Sequence, residues 1–405
     1  MSQSSRIRQH RILFLFSGKI TESQILYALA QLDQIVEIID LNRFFNQQTK
    51  PEDLLVLLVE KKHTFDFILT VNSYGLDDQG VIAERLLAER IHLVSWELDH
   101  PYIFNLLGLR KNVASDYTTL FLWDEGYLED MKAMGFDRVH YLPNASCARQ
   151  FAIPPAQAAA FNGDQYRGAT TFVGMTMLNF ITRFAPVLGC DLFPTADHKA
   201  VLESCTKLLL QDTSLWFHRA FQLACENLNI FDLNFQSNSQ REKYLAFAEM
   251  IVSSDYRIAV LRALKDVLIF GDLDEWKMVL PQHRLMGKID YQQEVKHLFA
   301  NSAINLNITL IKNRWDANLR IYDIPLAGGF VLSDARKNIA RHFELDKEIV
   351  VYHSIDDLQE KRAKYQHDHA LRQRIVTAAK KRIASEHLYQ HRLTELICVM
   401  QGYLA

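Results

Sequence analysis

Cysteine is scarce in this sequence. Five cysteines occur among 405 residues, far apart from one another, and no two of them form a CxxC pair. An odd number of widely separated cysteines does not provide a disulfide framework. The cysteines are therefore predicted to be small, buried apolar residues of a protein from a reducing compartment, which favours the cytoplasm.

Long hydrophobic runs are also missing. No stretch of the sequence approaches 18 uninterrupted apolar residues, so no membrane-spanning helix is expected. The first apolar run lies between Arg11 and Ser17 and is too short for the hydrophobic region of a signal peptide. We expect this run to be the first strand of a hydrophobic core.

Neither sign of charge dominates. The 45 Lys and Arg residues nearly balance the 48 Asp and Glu residues, and no basic block is longer than a few residues. This balance does not favour a protein that gains its affinity from many phosphate contacts, so no nucleic-acid partner is expected. The sequence also lacks the spacing of a P-loop, internal repeats of solenoid length and low-complexity segments.

What the sequence does have is a regular alternation of short apolar strands with helices. A chain of 405 residues exceeds the usual size of one hydrophobic core, so two domains are expected. Uniformly apolar strands that alternate with helices predict parallel sheets covered on both faces. The predicted strands are residues 12–16, 36–40, 67–71, 92–96, 119–123 and 139–142 in the first part of the chain, and 170–173, 268–270, 303–307, 330–332 and 349–352 in the second.

One stretch near the middle of the chain breaks this alternation. Residues 150–168 collect Pro, Ala and Gly and are interpreted as an interdomain linker. We predict an N-terminal Rossmann-like domain at residues 1–160 and a C-terminal one at residues 168–385. A helical segment without strand signals is expected at residues 200–267, and a terminal helix at residues 386–405, at the domain junction. Many two-domain α/β enzymes and binding proteins share this architecture, so it does not settle function.

Ligands of parallel sheets bind outside the carboxyl ends of the strands, so the loops after the strands hold the candidate site residues. In the first domain these loops contain a glycine, amide and hydroxyl groups, and an acid–histidine pair suited to proton transfer. The candidates are Gly18, Lys19, Asn72, Tyr74, Asp99 and His100, with Asn144 and Ser146 after the last strand of the domain. Each has a structural alternative as a turn residue or, for the histidine, as a hydrogen-bonded residue before a proline.

The most informative segment follows a strand of the second domain. Its spacing predicts a helix over residues 317–326, with Asp316 as the N-cap and Gly328 in the C-terminal stop. Asp316, Arg320 and Asp323 would then share one helix face. The helix N-terminus would suit a diphosphate, and Asp323 could accept hydrogen bonds from ribose hydroxyls. The structural alternative is a surface helix with an Asp–Arg pair and an ordinary glycine stop.

This segment resembles the C-terminal signature of glycosyltransferases similar to the spore maturation protein CgeB, N-x-R-x-[FY]-E-x-x-A-x-G-G-[FY]-x-L-[ST]-D. The matching residues are Asn318, Arg320, Tyr322, Ala327, Gly328, Gly329, Phe330, Leu332, Ser333 and Asp334. Other elements of the family pattern occur in the same order along the chain. They are represented by Trp96, Asp99 and Pro101, by Phe172, Val173 and Gly174, by Glu348, Tyr352, Asp357 and Leu358, and by Glu386, His387, Tyr389 and Arg392.

The resemblance implies a GT-B glycosyltransferase, with two Rossmann-like domains facing a central cleft. Such an enzyme moves a sugar from a nucleotide-diphosphate donor to an acceptor, unknown here, with retention of configuration and without a cofactor or metal. We expect Asp99, His100 and Arg320 to be catalytic, and the loops at Gly18–Lys19 and Asn72–Tyr74 to lie on the acceptor side. The expected donor-binding residues are Gly174, Asn307, Asp316, Asn318, Arg320, Tyr322, Asp323 and Gly328.

The sequence departs from the family pattern at several positions. Asp323 stands where the family has glutamate, and Trp315 stands eight residues earlier, where retaining relatives have the first acid of a carboxylate pair. No motif selects the basic residues for a diphosphate, and Arg183 and Lys312 are the candidates. These departures leave two alternatives, a non-catalytic sugar-nucleotide-binding or scaffold protein and a sugar-nucleotide epimerase.

Overall fold

The chain forms two compact units in a computed structural model that describes residues 7–45, 51–77, 79–100, 113–153, 166–188 and 195–404. Unit 1 comprises Met1–Ala145 together with His387–Ala405, and unit 2 comprises Ser146–Glu386. Residues 154–165, most of the predicted linker, lie outside the described residues, as do Pro101 and Cys190.

Unit 1 is built on a six-stranded parallel sheet. Its strands are β1 (Arg11–Phe16), β2 (Ile35–Asp40), β3 (Phe67–Val71), β4 (Leu93–Glu97), β5 (Thr118–Leu122) and β6 (Val139–Tyr141). They lie in the order β2-β1-β3-β4-β5-β6, and neighbouring strands are parallel. Strands β3, β4 and β5 are buried at every residue, as expected inside a sheet that is covered on both faces. All six strands were predicted from the apolar runs.

Helices alternate with these strands and bury their apolar residues against the sheet. They are α1 (Ile20–Gln31), α2 (Asn42–Phe45), α3 (Pro51–Glu60), α4 (Val81–Ala88) and α5 (Leu128–Ala133), with a 3₁₀ turn at Glu125–Tyr127. Leu54 of α3 and Leu86 of α4 belong to the same core cluster as Leu13, Ile68 and Leu120 of the strands. Burial of these apolar side chains is the main favourable term that holds the unit together.

Unit 2 is built on a second six-stranded parallel sheet. Its strands are β7 (Thr170–Val173), β8 (Val267–Phe270), β9 (Arg284–Gly287), β10 (Ile304–Asn307), β11 (Val331–Asp334) and β12 (Val350–Tyr352). They lie in the order β12-β11-β10-β7-β8-β9 and are parallel throughout. The sequence analysis missed β9, an edge strand whose Arg284 and Met286 are exposed, so that it has no continuous apolar run.

The helices of unit 2 include a long group between β7 and β8. The helices are α6 (Ala148–Phe151), α7 (Leu178–Leu188), α8 (Ala196–Gln211), α9 (Phe217–Leu228), α10 (Asn238–Arg262), α11 (Leu273–Val279), α12 (Val295–Asn301), α13 (Arg320–Ala327), α14 (Ile339–His342), α15 (Ile355–His367) and α16 (His369–Glu386). Helices α8, α9 and α10 form the helical segment that the sequence predicted. No helix in the described part of the chain has both the length and the apolar character needed to cross a membrane.

The chain ends in unit 1 with α17 (Tyr389–Leu404). The ring of Tyr389 lies edge-on to Trp96, with 5.8 Å between the ring centroids. Arg392 Nε donates a hydrogen bond to Pro143 O at 3.1 Å, and Tyr403 Oη lies 3.0 Å from His140 Nε2. These contacts attach α17 to the side of the sheet formed by β4 and β6.

Candidate functional site

Three loops of unit 2 begin at the same edge of its sheet. Strand β10 lies between β7 and β11, and the three strands are parallel. The loops that follow Val173, Asn307 and Asp334 therefore start side by side. The carboxyl ends of parallel strands are where α/β sheets bind their ligands, so this edge is the place to look for a site.

Asp334 joins two of these loops. Thr309 donates to its carboxylate from the backbone N at 3.0 Å and from Oγ1 at 2.7 Å, and Arg336 Nη2 donates to Asp334 Oδ2 at 2.9 Å. Both side chains of the Asp334–Arg336 ion pair are completely buried. Removing one member of such a pair leaves an uncompensated charge in the interior. The hydrogen bonds from Thr309 fix the loop after β10 against the end of β11.

Asn307 and Asn318, two of the predicted donor-binding residues, are hydrogen-bonded to each other. Asn318 Nδ2 donates to Asn307 Oδ1 at 3.0 Å, and Asn307 Nδ2 donates to Ser333 Oγ at 3.0 Å. Asn318 Oδ1 accepts the backbone N–H of Arg320 at 3.0 Å. One amide side chain therefore ties the first turn of α13 to the end of β10.

The start of α13 corrects the sequence prediction. The helix begins at Arg320, and Asp316 is neither its N-cap nor part of it. The carboxylate of Asp316 accepts a hydrogen bond from Asn338 Nδ2 at 2.8 Å and lies 3.2 Å from His342 Nε2. Asn318 receives the N–H of Arg320 instead, so the predicted shared face of Asp316, Arg320 and Asp323 does not exist.

Asp323 lies within α13 and is completely buried. Ser146 Oγ donates to its Oδ1 at 2.6 Å, and Tyr291 Oη donates to its Oδ2 at 2.8 Å. Burial raises the pKa of the Asp323 carboxyl group to about 7, while the two hydrogen bonds and the charge of Arg320 act in the opposite direction. In this structure protein donors occupy both carboxylate oxygens, and the predicted ribose contact stays a prediction.

Two other predicted donor-binding residues lie away from this edge. The ring of Tyr322 is buried with its centroid 5.5 Å from that of Phe343, inside the core. Gly328 ends α13 at a φ of +96° and lines a cavity beside Gly168 and Ala303, which precede β7 and β10. A helix of eight residues is about 12 Å long, so its end lies at the amino ends of the strands, opposite to its start.

Gly174 stands where predicted, directly after β7. Trp276 Nε1 donates a hydrogen bond to the carbonyl oxygen of Gly174 at 3.0 Å, and the backbone N–H of Gly174 donates to Phe270 O at 2.9 Å. A Cβ atom on Gly271 would lie 2.2 Å from Gly174 O, so a side chain cannot be placed there without moving the backbone. The loops after β7 and β8 thus approach each other closely at this edge.

Arg257 of α10 is the site residue that sequence reasoning missed. Its Nη1 donates to Met175 O at 2.6 Å, in the loop after β7, and its Nη2 donates to Ile308 O at 3.0 Å, after β10. Its Nε has no hydrogen-bond partner among the described residues. The only sequence signal is its spacing from Glu249 and Ser253, which places three polar residues on one face of an otherwise buried helix stretch.

Arg257 and Arg320 place two guanidinium groups near each other without a carboxylate bound to Arg257. Burial lowers the pKa of Arg257 to about 9, and the charge of Arg320 acts in the same direction. The Nε atom of Arg320 is buried and has no partner within the described residues. Among the candidates from the sequence, Arg183 is exposed on α7 and Lys312 is half-buried in the loop after β10. Arg257 is buried and Arg320 is partly exposed, and the carboxylates of Asp334 and Asp323 oppose their charges in part. An anion bound beside both guanidinium groups would stabilise them further.

In unit 1, the predicted loop after β1 is held in place by Glu22. The Glu22 carboxylate accepts hydrogen bonds from Ser17 N at 2.9 Å, Ser17 Oγ at 2.7 Å and Lys19 N at 2.9 Å. Gly18 between them has a φ of +86°, which favours glycine. The sequence analysis did not identify Glu22, which occupies the third position of α1 and satisfies the N–H groups that precede the helix.

Asn72, Asp99 and His100 belong to neighbouring loops of unit 1. Asn72 has a φ of +54°, and its Oδ1 accepts the backbone N–H of Asp99 at 3.0 Å. His100 is buried, with its ring centroid 5.2 Å from that of Tyr127. The structure thus brings the loop after β3 together with the predicted acid–histidine pair, whose catalytic role stays a prediction.

A second buried carboxylate of unit 1 was not predicted. Glu97, the last residue of β4, is completely buried, and Ser73 Oγ and Ser95 Oγ each donate to its Oε1 at 2.7 Å. Burial, followed by the charges of Asp99, Glu22 and Glu97, raises the pKa of the Tyr74 hydroxyl group. The carboxyl edge of this sheet therefore buries two carboxylates, those of Glu22 and Glu97.

A family model matches the part of the chain that contains most of the unit 2 site. Residues 257–397 match a family described as glycosyl transferase-like, and this match begins at Arg257. None of the curated proteins matches the sequence. Within the described part of the chain, no three His, Cys, Asp or Glu residues are grouped so that they could hold a metal ion.

Solved structures share the fold over nearly the whole chain. HepE of Anabaena in complex with UDP-glucose is 12% identical, and the alignment covers 97% of this chain and 100% of that protein at a TM-score of 0.54. Sucrose-phosphate synthase from Thermosynechococcus elongatus is 10% identical, with 98% of each chain covered and a TM-score of 0.53. A glycosyltransferase from Rickettsia africae is 9% identical over 98% of this chain and 99% of that one, at a TM-score of 0.53. The two parallel sheets and their helices form a GT-B fold, which confirms the predicted fold class.

Proposed function

We propose that this protein is a glycosyltransferase that binds the diphosphate of a nucleotide-sugar donor between Arg257 and Arg320. The observation that carries the proposal is that the buried Nε atoms of Arg257 and Arg320 have no hydrogen-bond partner among the described residues, while Arg257 joins the loops after β7 and β10. A diphosphate offers several anionic oxygens, and the planar guanidinium group donates two parallel hydrogen bonds to such oxygens. The proposed ligand would therefore compensate both charges at once.

The chemistry that follows is electrostatic. The bond between the anomeric carbon of the sugar and the diphosphate oxygen breaks, and a bond between that carbon and an acceptor oxygen forms. Arg257 and Arg320 would stabilise the negative charge that develops on the leaving diphosphate. The proton of the acceptor hydroxyl would pass to a leaving-group oxygen, which allows transfer with retention of configuration. Asp99 and His100 of unit 1 are the proposed groups on the acceptor side.

Two comparisons support this proposal. The matched family is described as glycosyl transferase-like, and HepE, which shares the fold, has been crystallised with UDP-glucose. We therefore propose a nucleoside diphosphate sugar as the donor, with Asn307 and Asn318 near the diphosphate. The scattered cysteines favour the cytoplasm as the place of the reaction. The proposed enzyme needs no cofactor besides its donor substrate.

Nucleotide binding tests the proposal directly. A thermal-shift screen with UDP, GDP, ADP, TDP and CMP should show a higher melting temperature with one of the nucleoside diphosphates. Calorimetry with that nucleotide should then show weaker binding for Arg257→Gln and Arg320→Gln, by about tenfold to a hundredfold each, because a hydrogen bond between charged groups is worth about 1.5–3 kcal/mol.

Arg219 supplies a matched control for these variants. It is an exposed arginine on α9 of the same unit, so Arg219→Gln should bind the nucleotide as the wild type does. Equal affinity in the wild type, Arg257→Gln and Arg320→Gln would remove the proposed diphosphate site. Failure of all five nucleotides to bind the wild-type protein would contradict the proposed function itself.

A second candidate function is binding of a sugar nucleotide without transfer. It is favoured by the enclosure of Asp323, whose carboxylate is occupied by Ser146 and Tyr291, and by Trp315 in place of the acid of retaining relatives. Slow release of free sugar from the bound donor, followed by NMR over hours, would show that the protein acts on the glycosidic bond. The same spectra would reveal an epimerised donor, the product expected of a sugar-nucleotide epimerase.

A further inference from the structure

Asp323 connects three segments of unit 2 that are far apart in the sequence. Its Oδ1 receives the hydroxyl of Ser146, the first residue of the unit, and its Oδ2 receives the hydroxyl of Tyr291, in the loop after β9. The carboxylate itself belongs to α13 and is completely buried. Two O–H donors that converge on one buried carboxylate define its position more closely than packing alone does.

The two donors are themselves held in place. Gln150 Nε2 donates to the backbone O of Tyr291 at 3.1 Å, and the ring of Phe151 lies edge-on to the Tyr291 ring at 5.8 Å between centroids. Phe299 packs on the same ring at 6.3 Å. The short helix α6, the loop after β9 and α12 therefore form a support for the Tyr291 hydroxyl.

The other end of this arrangement is the proposed diphosphate site. Arg320 is the first residue of α13, one turn before Asp323, and its backbone N–H is bound by Asn318. Because a helix of two turns moves as one body, the position of Asp323 sets that of Arg320. Asp323 and Arg320 also interact through their charges, since the charge of Arg320 lowers the pKa of the Asp323 carboxyl group.

We propose that Ser146 and Tyr291 are positioning residues, which hold the Asp323 carboxylate so that α13 presents Arg320 to the diphosphate of the donor. The inference rests on the proposed function, because it concerns the same site. It differs from the ribose contact suggested by the sequence, since here Asp323 acts through its own helix. Ser146 and Tyr291 touch neither the diphosphate nor the sugar in this arrangement.

The ionisation of Asp323 reports directly on the two hydrogen bonds, and nucleotide binding reports on their effect on Arg320. Its pKa is raised to about 7 by burial and is lowered by the hydrogen bonds from Ser146 and Tyr291. Loss of either hydroxyl should raise this pKa, because the ionised form loses a donor. The groups that face Asp323 are Arg320, Tyr291 and the thiol of Cys147, whose own pKa is raised by its burial.

The experiment is a double-mutant cycle on the full-length protein, with UDP and inorganic pyrophosphate as separate probes in calorimetry. Ser146→Ala and Tyr291→Phe should each weaken binding about tenfold, whereas Ser146→Thr, which keeps the hydroxyl, should stay within about twofold of the wild type. Tyr291→Phe should weaken binding less in an Asp323→Asn background than in the wild type, because both changes act through the same carboxylate. The midpoint of the Asp323 titration, followed by carboxyl ¹³C NMR, should move to higher pH in Tyr291→Phe.

The outcomes separate this inference from the proposed function. Wild-type affinity in Ser146→Ala and Tyr291→Phe, together with weak binding by Arg320→Gln, would overturn the positioning role and leave the diphosphate site intact. The positioning role would also be overturned if the effects of Tyr291→Phe and Asp323→Asn on binding were additive, or if the midpoint of the Asp323 titration did not move in Tyr291→Phe. If the wild-type protein binds neither UDP nor pyrophosphate, both proposals are wrong. Tyr291→Phe removes one oxygen atom from a packed ring, so its fold can be checked by the same thermal melt.

Discussion

The carboxyl edges of the two sheets have similar architecture but bury different charged side chains. At the edge of unit 2, Arg257 donates only to backbone carbonyl groups and lies close to Arg320. At the edge of unit 1, the carboxylates of Glu22 and Glu97 are buried and bound by hydroxyl and backbone N–H groups. One parallel fold therefore holds a buried arginine beside the proposed diphosphate site in unit 2 and hydrogen-bonded carboxylates at the corresponding edge of unit 1.

The largest effect is expected at the buried Asp334–Arg336 ion pair of unit 2. Asp334→Asn should lower the free energy of unfolding by about 3–5 kcal/mol, because it leaves Arg336 buried without a counter-charge. Asp357→Asn is the matched control, since the Asp357–Lys361 pair is partly exposed and its loss should cost about 0.5 kcal/mol. Urea unfolding of the three proteins measures both values. Similar small losses in both variants would mean that the edge of unit 2 tolerates unpaired arginine generally.

Asp323 should make the free energy of unfolding depend on pH. Its folded pKa of about 7 lies above the ordinary value of 3.8 for an aspartate, so the folded state binds a proton that the unfolded state has lost between these values. The contribution of Asp323 is thus most favourable at low pH and is lost as pH rises through about 7, with a slope of at most about 1.4 kcal/mol per pH unit. Asp323→Asn should remove this slope in denaturation curves measured between pH 5 and 8. Parallel curves for the two proteins would show that Asp323 ionises normally.

Glu22 tests whether the two edges act separately. Glu22→Gln weakens the three hydrogen bonds that hold the loop after β1, so the free energy of unfolding should fall by about 1–2 kcal/mol. Nucleotide affinity should remain within about twofold of the wild type, because the proposed diphosphate site lies in unit 2. Thermal melts with and without the nucleotide measure both quantities. A large loss of affinity would break the proposed division between the edges.

The smallest effect is expected at the start of α13. Asn318→Ala removes the acceptor of the Arg320 N–H and the donor to Asn307, which should cost about 1 kcal/mol in urea unfolding. Unlike Glu22→Gln, it should also weaken nucleotide binding, by about tenfold or less, because the first turn of α13 carries Arg320. Asn318→Asp, which keeps the acceptor, should recover the stability of the helix start but not the contact with Asn307.

The fold could be predicted from the sequence because its signals are local. Short apolar runs such as 67–71 and 170–173 are strands in the structure, and their alternation with helices predicts parallel sheets. Strand β9 was missed because an edge strand needs no continuous apolar run, and Arg284 is exposed there. Local patterns thus identify the strands that are buried on both faces of a sheet, but they give little information about edge strands.

The site was harder to predict because its contacts join distant segments. Asp316 looked like an N-cap from its spacing, but Leu319 occupies that position, and Asp316 is bound by Asn338, 22 residues away. Arg257 lies on α10, and its side chain reaches the loops after β7 and β10. The sequence predicts α10 only as part of a helical segment, without indicating which of its residues face these loops. Gly328 fits a family signature and serves as the C-terminal stop of α13. Spacing along the chain identified the helix that follows β10, but tertiary contacts decide which of its side chains lie at the carboxyl edge of the sheet.

The discontinuity of unit 1 has a consequence for how the protein is made. Its first 145 residues emerge from the ribosome early, but α17, which packs on Trp96 and binds Pro143 O through Arg392, is synthesised only after the whole of unit 2. Until then the indole of Trp96 lacks one of its aromatic neighbours. Unit 2 can therefore complete its fold during translation before unit 1 does, although it begins later in the chain.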